Sequence, residues 1–119
     1  MPNILSIDDL TLENINNIID LSLKYEIYIK ENKNILKGKL SLESFNIGLM
    51  FFEPSTRTMC SFETAINRSN GKYIKFVESS SSIKKGESLY DTIKTMESYC
   101  DLLENFFLHL SQLYVTISL

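Results

Sequence analysis

Hydrophobic residues recur at helical spacing in three segments of the chain and form continuous runs in two others. The first helical segment begins near Thr11, which can cap a helix, and continues to Asn32. Its apolar stripe is formed by Leu12, Ile15, Ile19 and Leu23. The pattern predicts one long amphipathic helix at the start of the chain, and Gly38 is one of the residues that end it.

Two segments have the pattern of buried strands. Residues 45–52 are almost continuously apolar, which is typical of a strand covered on both faces in a parallel sheet. Residues 73–77 form a second, shorter run. The chain after Asp101 begins like a third strand at Leu102-Leu103, but Glu104-Asn105 interrupts it. The sequence therefore predicts a sheet that is only partly formed.

A helix is expected after each of the first two strands. The second helix starts near Ser55 and stops at Asn70-Gly71. The third starts after Ser88, with Asp91 as its capping-box partner. The apolar faces of these two helices are formed by Met59, Phe62 and Ile66, and by Leu89, Ile93, Met96 and Cys100. The alternation of helices and strands predicts an α/β fold, with a partial parallel sheet flanked by helices.

Composition narrows the possible functions. The 119 residues suit one small domain, and the net charge of −3 does not favour a nucleic-acid or membrane-surface partner. The two cysteines lack metal-ligand spacing and indicate free thiols in a reducing compartment. The amino terminus has no signal-peptide pattern, and residues 102–119 are short for a membrane span, so a cytoplasmic location is expected.

Two polar segments follow the predicted strands. Pro54-Ser55-Thr56-Arg57-Thr58 opens a helix and combines three hydroxyls with a guanidinium group, which suits an anion such as phosphate. The alternative is a capped helix start with an exposed arginine. Residues 79–87 contain four serines, Lys84, Lys85 and a glycine, which suit either a phosphate or carboxylate site or a solvated loop. Ligands bind beyond the carboxyl ends of parallel strands, so both segments are candidate site elements.

The two polar segments also carry a resemblance to a known family. Residues 51–58 (FFEPSTRT), followed by SFETA at 61–65, resemble the carbamoyl-phosphate motif of the aspartate and ornithine carbamoyltransferases. Residues 84–89 (KKGESL), followed by Asp91-Thr92, are similar to the second family motif. Glu53-Pro54 resembles the aspartate enzymes, and the overall resemblance covers roughly residues 4–101.

The resemblance implies transfer of a carbamoyl group from carbamoyl phosphate to the amine of the amino acid L-aspartate, in pyrimidine biosynthesis, without a metal or organic cofactor. It assigns phosphate binding to Ser55, Thr56, Arg57 and Thr58, and adds Ser81 and Lys85 from a loop that enters the site of a neighbouring subunit. Arg57, Thr58 and Lys85 are then the catalytic residues, and the catalytic unit is a homotrimer.

The resemblance ends after Asp101. We therefore expect an incomplete carbamoyl-phosphate-binding domain at 1–101, a divergent tail at 102–119, and no aspartate-binding domain. The arginine that the family places after its third strand has no counterpart, because no arginine follows Arg68. His109 lies in the segment HLSQ, which has the outline of the family's His-Pro-Thr-Gln but lacks the proline, and we interpret it as part of the tail.

Three functions remain open at this point. The first is an aspartate carbamoyltransferase whose 119-residue chain is inactive alone. The second is a truncated, non-catalytic partner that binds phosphate or associates with full-length subunits. The third is an ornithine carbamoyltransferase, against which Glu53-Pro54 argues.

Overall fold

The computed structural model describes residue 4 and residues 6–32, 41–78, 86, 88–107 and 112–117. A short 3-10 helix at Ile7–Asp9 precedes three α-helices and four strands. The helices are α1 (Leu12–Asn32), α2 (Thr56–Arg68) and α3 (Leu89–Tyr99). The strands are β1 (Asn46–Phe51), β2 (Lys72–Val77), β3 (Leu102–Phe107) and β4 (Gln112–Ile117). All three helices and the first two strands that the pattern predicts are confirmed.

The strands form one sheet in the order β2-β1-β3-β4. β1 pairs in parallel with β2 on one side and with β3 on the other, whereas β4 pairs antiparallel with β3. Phe51 lies opposite both Val77 and Phe106, so the carboxyl ends of the three parallel strands meet at one edge. This confirms the predicted α/β fold with a parallel sheet flanked by helices.

The prediction that Glu104-Asn105 interrupts the third strand is wrong. β3 continues to Phe107, because its backbone pairs with β1 on one side and with β4 on the other. A ladder of this kind uses only main-chain groups, so a polar side chain does not end it. The strand β4 lies in the segment interpreted as a divergent tail, where the sequence pattern predicts no strand.

The core has two layers, one on each face of the sheet. Ile47, Leu49 and Phe51 of β1 pack with Ile66 of α2, and we call this cluster the α2 face. The opposite cluster, the α3 face, is formed by Met50, Phe52, Met96, Cys100 and Leu103. Strand side chains alternate between faces, so β1 supplies both layers and lies at the centre of the fold.

Gly48 lets the α3 face close onto β1. A Cβ atom at this position would lie 2.4 Å from the Leu103 side chain and 2.9 Å from Cys100 Sγ. A larger residue would therefore have to displace the Leu103 and Cys100 side chains. Close packing across β1 thus depends on a glycine in the middle of the strand.

A hydrogen-bonded clamp ties β1 to β3 at the amino end of the sheet. The Asn46 backbone N–H donates to Asp101 Oδ2 at 2.7 Å, and Asp101 N–H donates to the Asn46 carbonyl at 2.8 Å. Asn46 Nδ2 also donates to the carbonyl of Tyr99 at 2.7 Å, at the end of α3. These bonds set the register at which β3 joins the sheet.

The predicted stripe of α1 is largely solvent-exposed, in contrast to the faces of α2 and α3. Leu12 is 73% exposed, Ile19 is 51% exposed and Leu23 is 53% exposed. A mainly apolar groove of about 660 Å³ lies between α1 and the end of α2. From α1 this groove is lined by Ser22, Tyr25, Glu26, Ile29 and Lys30, so it does not include the exposed stripe.

Candidate anion-binding site at the start of α2

The site predicted from the first polar segment lies where β1 passes into α2. β1 ends at Phe51, Phe52 is buried in the α3 face, and α2 begins at Thr56 with Ser55 at its N-cap position. The central strand thus fixes the position at which the segment leaves the sheet. Ser55, Thr56, Arg57 and Thr58 are brought together there as one helical turn and its cap.

The amino end of α2 is suited to a negatively charged ligand. The first N–H groups of an α-helix have no partner within the helix and carry a partial positive charge. The Ser55 side chain makes no capping hydrogen bond, and no acidic residue lies in the first turn. Thr56 and Arg57 are exposed, whereas Ser55 and Thr58 are half-buried. The turn therefore offers backbone donors, hydroxyls and a guanidinium group to an incoming anion.

The orientation of α2 is set by its contacts further along the helix. Ile66 is buried in the α2 face, with Met59 and Phe62 packed against the same cluster. Glu63 accepts a hydrogen bond from Lys75 Nζ of β2 at 2.9 Å. This bond from Lys75 lowers the pKa of Glu63, so the carboxylate stays ionised and ties the helix to the sheet.

The end of α2 turns the chain back into β2. Asn70 adopts a left-handed conformation with φ of 57°, and the Gly71 N–H donates to the carbonyl of Ile66 at 2.9 Å. Leu42 N–H donates to the carbonyl of Ser69 at 2.6 Å and joins the chain before β1 to this turn. Together these contacts hold the carboxyl end of α2 beside the chain that leads into β1.

The second predicted segment is described only at its borders. β2 ends at Val77, beside the carboxyl end of β1. α3 starts after Ser88, whose side chain accepts a hydrogen bond from Asp91 N–H at 3.1 Å, so the predicted cap is present. Asp91 Oδ2 accepts a hydrogen bond from the Ser88 hydroxyl at 2.6 Å, which differs from the predicted capping box. Ser81, Lys85 and His109 lie outside the described residues, so the roles that the resemblance assigns to Ser81 and Lys85 stay predictions.

The apolar groove between α1 and α2 is distinct from the predicted site. Its lining includes Ala65, Arg68 and Ser69, at the opposite end of α2 from Arg57. A rise of 1.5 Å per residue places Arg68 about 16 Å from Arg57 along the helix. Within the part of the chain that the structure describes, no group of acidic, histidine or cysteine side chains could hold a metal ion. No described helix is long and apolar enough to cross a membrane.

One buried charged residue lies where the sequence predicts the end of a strand. Glu104 of β3 is 2% exposed, and neither oxygen of its carboxyl group has a hydrogen-bond partner. The prediction rests on the rule that a charged residue rarely occupies a core position, and Glu104 is an exception to it. The leucines before it and the apolar residues after it are the signal that could have placed it inside the sheet.

Comparison with known proteins identifies relatives for most of the chain. The catalytic subunit of aspartate carbamoyltransferase from Finegoldia magna is 44% identical over 102 residues, which covers 85% of this chain and 31% of the relative. The corresponding subunit from Malacoplasma penetrans is 48% identical over 97 residues, which covers 82% of this chain and 30% of the relative. The chain thus spans about a third of the length of these relatives.

Solved structures with the same architecture are also aspartate transcarbamoylases. The enzyme from Trypanosoma cruzi in complex with carbamoyl aspartate and phosphate superposes with a TM-score of 0.74 at 34% identity, covering 84% of this chain and 31% of that chain. The catalytic subunit from M. jannaschii gives a TM-score of 0.70 at 36% identity, covering 87% of this chain and 33% of that chain.

A family match covers most of the chain. Residues 2–105 match the family described as aspartate/ornithine carbamoyltransferase, carbamoyl-P binding domain. This range contains β1, the turn at the start of α2, and most of the sheet. The chain therefore belongs to the aspartate/ornithine carbamoyltransferase family.

Proposed function

We propose that this chain is the carbamoyl-phosphate-binding part of an aspartate carbamoyltransferase. The observation that carries the proposal is the amino end of α2, which lies shortly after the buried central strand. Ser55 occupies the N-cap position without a capping hydrogen bond, and Arg57 is exposed. The T. cruzi enzyme was solved in complex with phosphate and carbamoyl aspartate, which are the product pair of this reaction. The relatives from F. magna and M. penetrans both carry the name of the aspartate enzyme.

The proposed reaction places most of its charge on the leaving group. The aspartate amine nitrogen forms a bond to the carbamoyl carbon while the bond from that carbon to the phosphate oxygen breaks. The phosphate leaves with the electron pair of that bond, and the amine gives up a proton. Fixed donors aimed at the departing phosphate stabilise such a transition state, and this is the role we assign to Ser55, Thr56, Arg57 and Thr58.

The remaining parts of the proposed site rest on the resemblance to the family. Thr58 also reaches the carbamoyl oxygen, and Ser81 and Lys85 enter the site of a neighbouring subunit in a homotrimer. The chain spans only about a third of the length of the relatives that carry the name of this enzyme. We therefore propose that the chain binds carbamoyl phosphate but does not turn it over alone. Cys60 and Cys100 are free, which supports a cytoplasmic location.

The Arg57→Ala change tests the phosphate contact. A hydrogen bond to a charged group contributes about 1.5–3 kcal/mol, so we expect the affinity for carbamoyl phosphate to fall about tenfold to a hundredfold. Isothermal titration of the purified chain measures this change. Arg68→Ala is the matched control, because Arg68 lies at the other end of the same helix and should leave the affinity unchanged. Equal losses in both variants would contradict the proposed site.

Substitutions at Ser55 should have different effects on phosphate binding and on the stability of the fold. Ser55 makes no capping bond, so Ser55→Ala should change the free energy of unfolding by less than the usual cost of about 1 kcal/mol for a lost cap. Ser55→Asp should raise the melting temperature, because a carboxylate interacts favourably with the helix amino end. The same carboxylate should abolish phosphate binding by repelling the anion. A Ser55→Asp protein that still binds carbamoyl phosphate would exclude this turn as the site.

A second candidate function is association with a longer chain of the same family. The observation that favours it is the exposed apolar side of α1, where Leu12, Ile19, Leu23 and Ile27 are each more than half exposed. The solved relatives share the architecture in chains about three times as long. The proposed occupant of this surface is therefore a segment of a full-length catalytic subunit that lies outside the matched third of such a chain.

Co-purification with a full-length aspartate carbamoyltransferase catalytic subunit tests this second function. The double change Ile19→Asp and Leu23→Asp should weaken association at least tenfold, because each buried apolar side chain contributes about 1.5–3 kcal/mol. Asn17→Asp with Lys24→Asp, on another side of the same helix, is the control and should leave association intact. A soluble monomer that never elutes with the longer chain would exclude this function.

A further inference from the structure

Glu104 places a carboxyl group inside the sheet, and no residue that the structure describes pairs with it. It is 2% exposed, and both of its oxygens lack a hydrogen bond. Its neighbour across the parallel ladder is Leu49 of β1, which is fully buried, and its neighbour on the antiparallel side is Val115 of β4. An ionised carboxylate in such surroundings loses its hydration and gains nothing in return.

The part of this sheet face that β1 and Leu102 of β3 form around Glu104 is apolar. Side chains alternate along β3, so Glu104 lies on the same face as Leu102, which packs against the α2 face. The residues that β1 contributes to this face are Ile47, Leu49 and Phe51, none of which titrates. The sheet-facing side chains of α2 are Met59, Phe62 and Ile66, which carry no charge either.

The ionisable groups of this face lie over β2, on the far side of β1. Glu63 and Lys75 pair with each other there, and Tyr73 packs beside them. Two strand spacings separate β2 from β3, which amounts to about 10 Å. In β4 the ionisable residue is Tyr114, whose position in the ladder is opposite Asn105 rather than Glu104. Burial alone accordingly raises the pKa of Glu104 to about 7.

We propose that Glu104 is a proton-dependent lock on the sheet: β3 stays joined to β1 and β4 while the carboxyl group is neutral, and it loosens when the group ionises. The geometry that carries this inference is an unpartnered carboxyl group, 2% exposed, between two paired strands. The inference concerns the fold and does not rest on the proposed function.

The direction of the pH effect follows from proton binding. The pKa of Glu104 is about 7 in the folded chain and 4.5 when the group is unperturbed, so the folded state binds more protons between these values. The contribution of Glu104 to the free energy of unfolding is fully present below about pH 4.5. It decreases as the pH rises towards 7 and does not change further at higher pH. Glu63 acts in the opposite direction, since its lowered pKa makes its contribution disappear in acid.

The Glu104→Gln variant isolates the proposed lock. Between pH 5 and pH 7 the folding equilibrium constant of the unaltered chain should fall by up to about tenfold per pH unit relative to that of the variant. Urea unfolding of both proteins across this range measures the difference. Glu43→Gln, at an exposed turn, is the control and should retain the pH dependence of the unaltered chain. If Glu104→Gln retains it as well, the proposal is wrong.

A measurement on the unaltered chain keeps the inference testable if the variant does not fold. Carbon NMR of glutamate carboxyl groups should show one group, assigned to Glu104 by sequential backbone coupling, that titrates near pH 7. A Glu104 resonance with a midpoint near 4.5 would overturn the proposal. Glu104→Val supplies a third check, because an apolar side chain there should make the chain more stable at pH 8 than the unaltered protein.

Discussion

Burial of β1 on both faces of the sheet is the constraint on which the rest of the structure depends. Its side chains supply both core layers, and Leu49 and Met50 are fully buried. β2 and β3 pair with it on either side, and α2 and α3 cover its two faces. Gly48 is part of the same constraint, because the Leu103 and Cys100 side chains occupy the space that a Cβ atom there would need. These contacts fix the position of the carboxyl end of β1, and the candidate site begins shortly after it.

The site inherits its geometry from that strand. The chain leaves β1 at Phe51 and enters α2 at Thr56. The amino end of α2, with its partial positive charge, therefore lies near the carboxyl edge of the sheet. Packing of Ile66 and the bond between Glu63 and Lys75 hold the other parts of α2 in place. An anion at this helix terminus would meet donors that need little rearrangement, which is the electrostatic preorganisation that carbamoyl transfer requires.

Local patterns in the sequence are sufficient to predict the elements that depend on local chemistry. The apolar run of β1, the cap at Ser88 and the stop at Asn70-Gly71 all have short-range causes, and all three appear in the structure. The candidate turn at 55–58 follows from the same reasoning. β4 and the continuation of β3 could not be predicted in this way, because each is stabilised by pairing with a distant strand. The exposure of α1 is likewise a property of tertiary packing, since an apolar stripe does not specify what covers it.

Glu104 shows how far prediction from sequence depends on context. The charge of Glu104 predicts the end of a strand, yet the residue lies in the middle of β3. We propose that its unpartnered carboxyl group makes the stability of the sheet depend on protonation. The candidate site and this buried group are supported by the same strand pairs, yet they have separate consequences for the molecule. One concerns what the chain binds, and the other concerns the conditions under which the chain stays folded.

Nuclear magnetic resonance of the backbone amides during addition of carbamoyl phosphate tests the central claim most directly. The account predicts saturable shifts concentrated at the amides of Thr56, Arg57 and Thr58, with little change at the far end of α2 near Arg68. Shifts confined to the groove between α1 and α2, or no saturable shift at the start of α2, would contradict it.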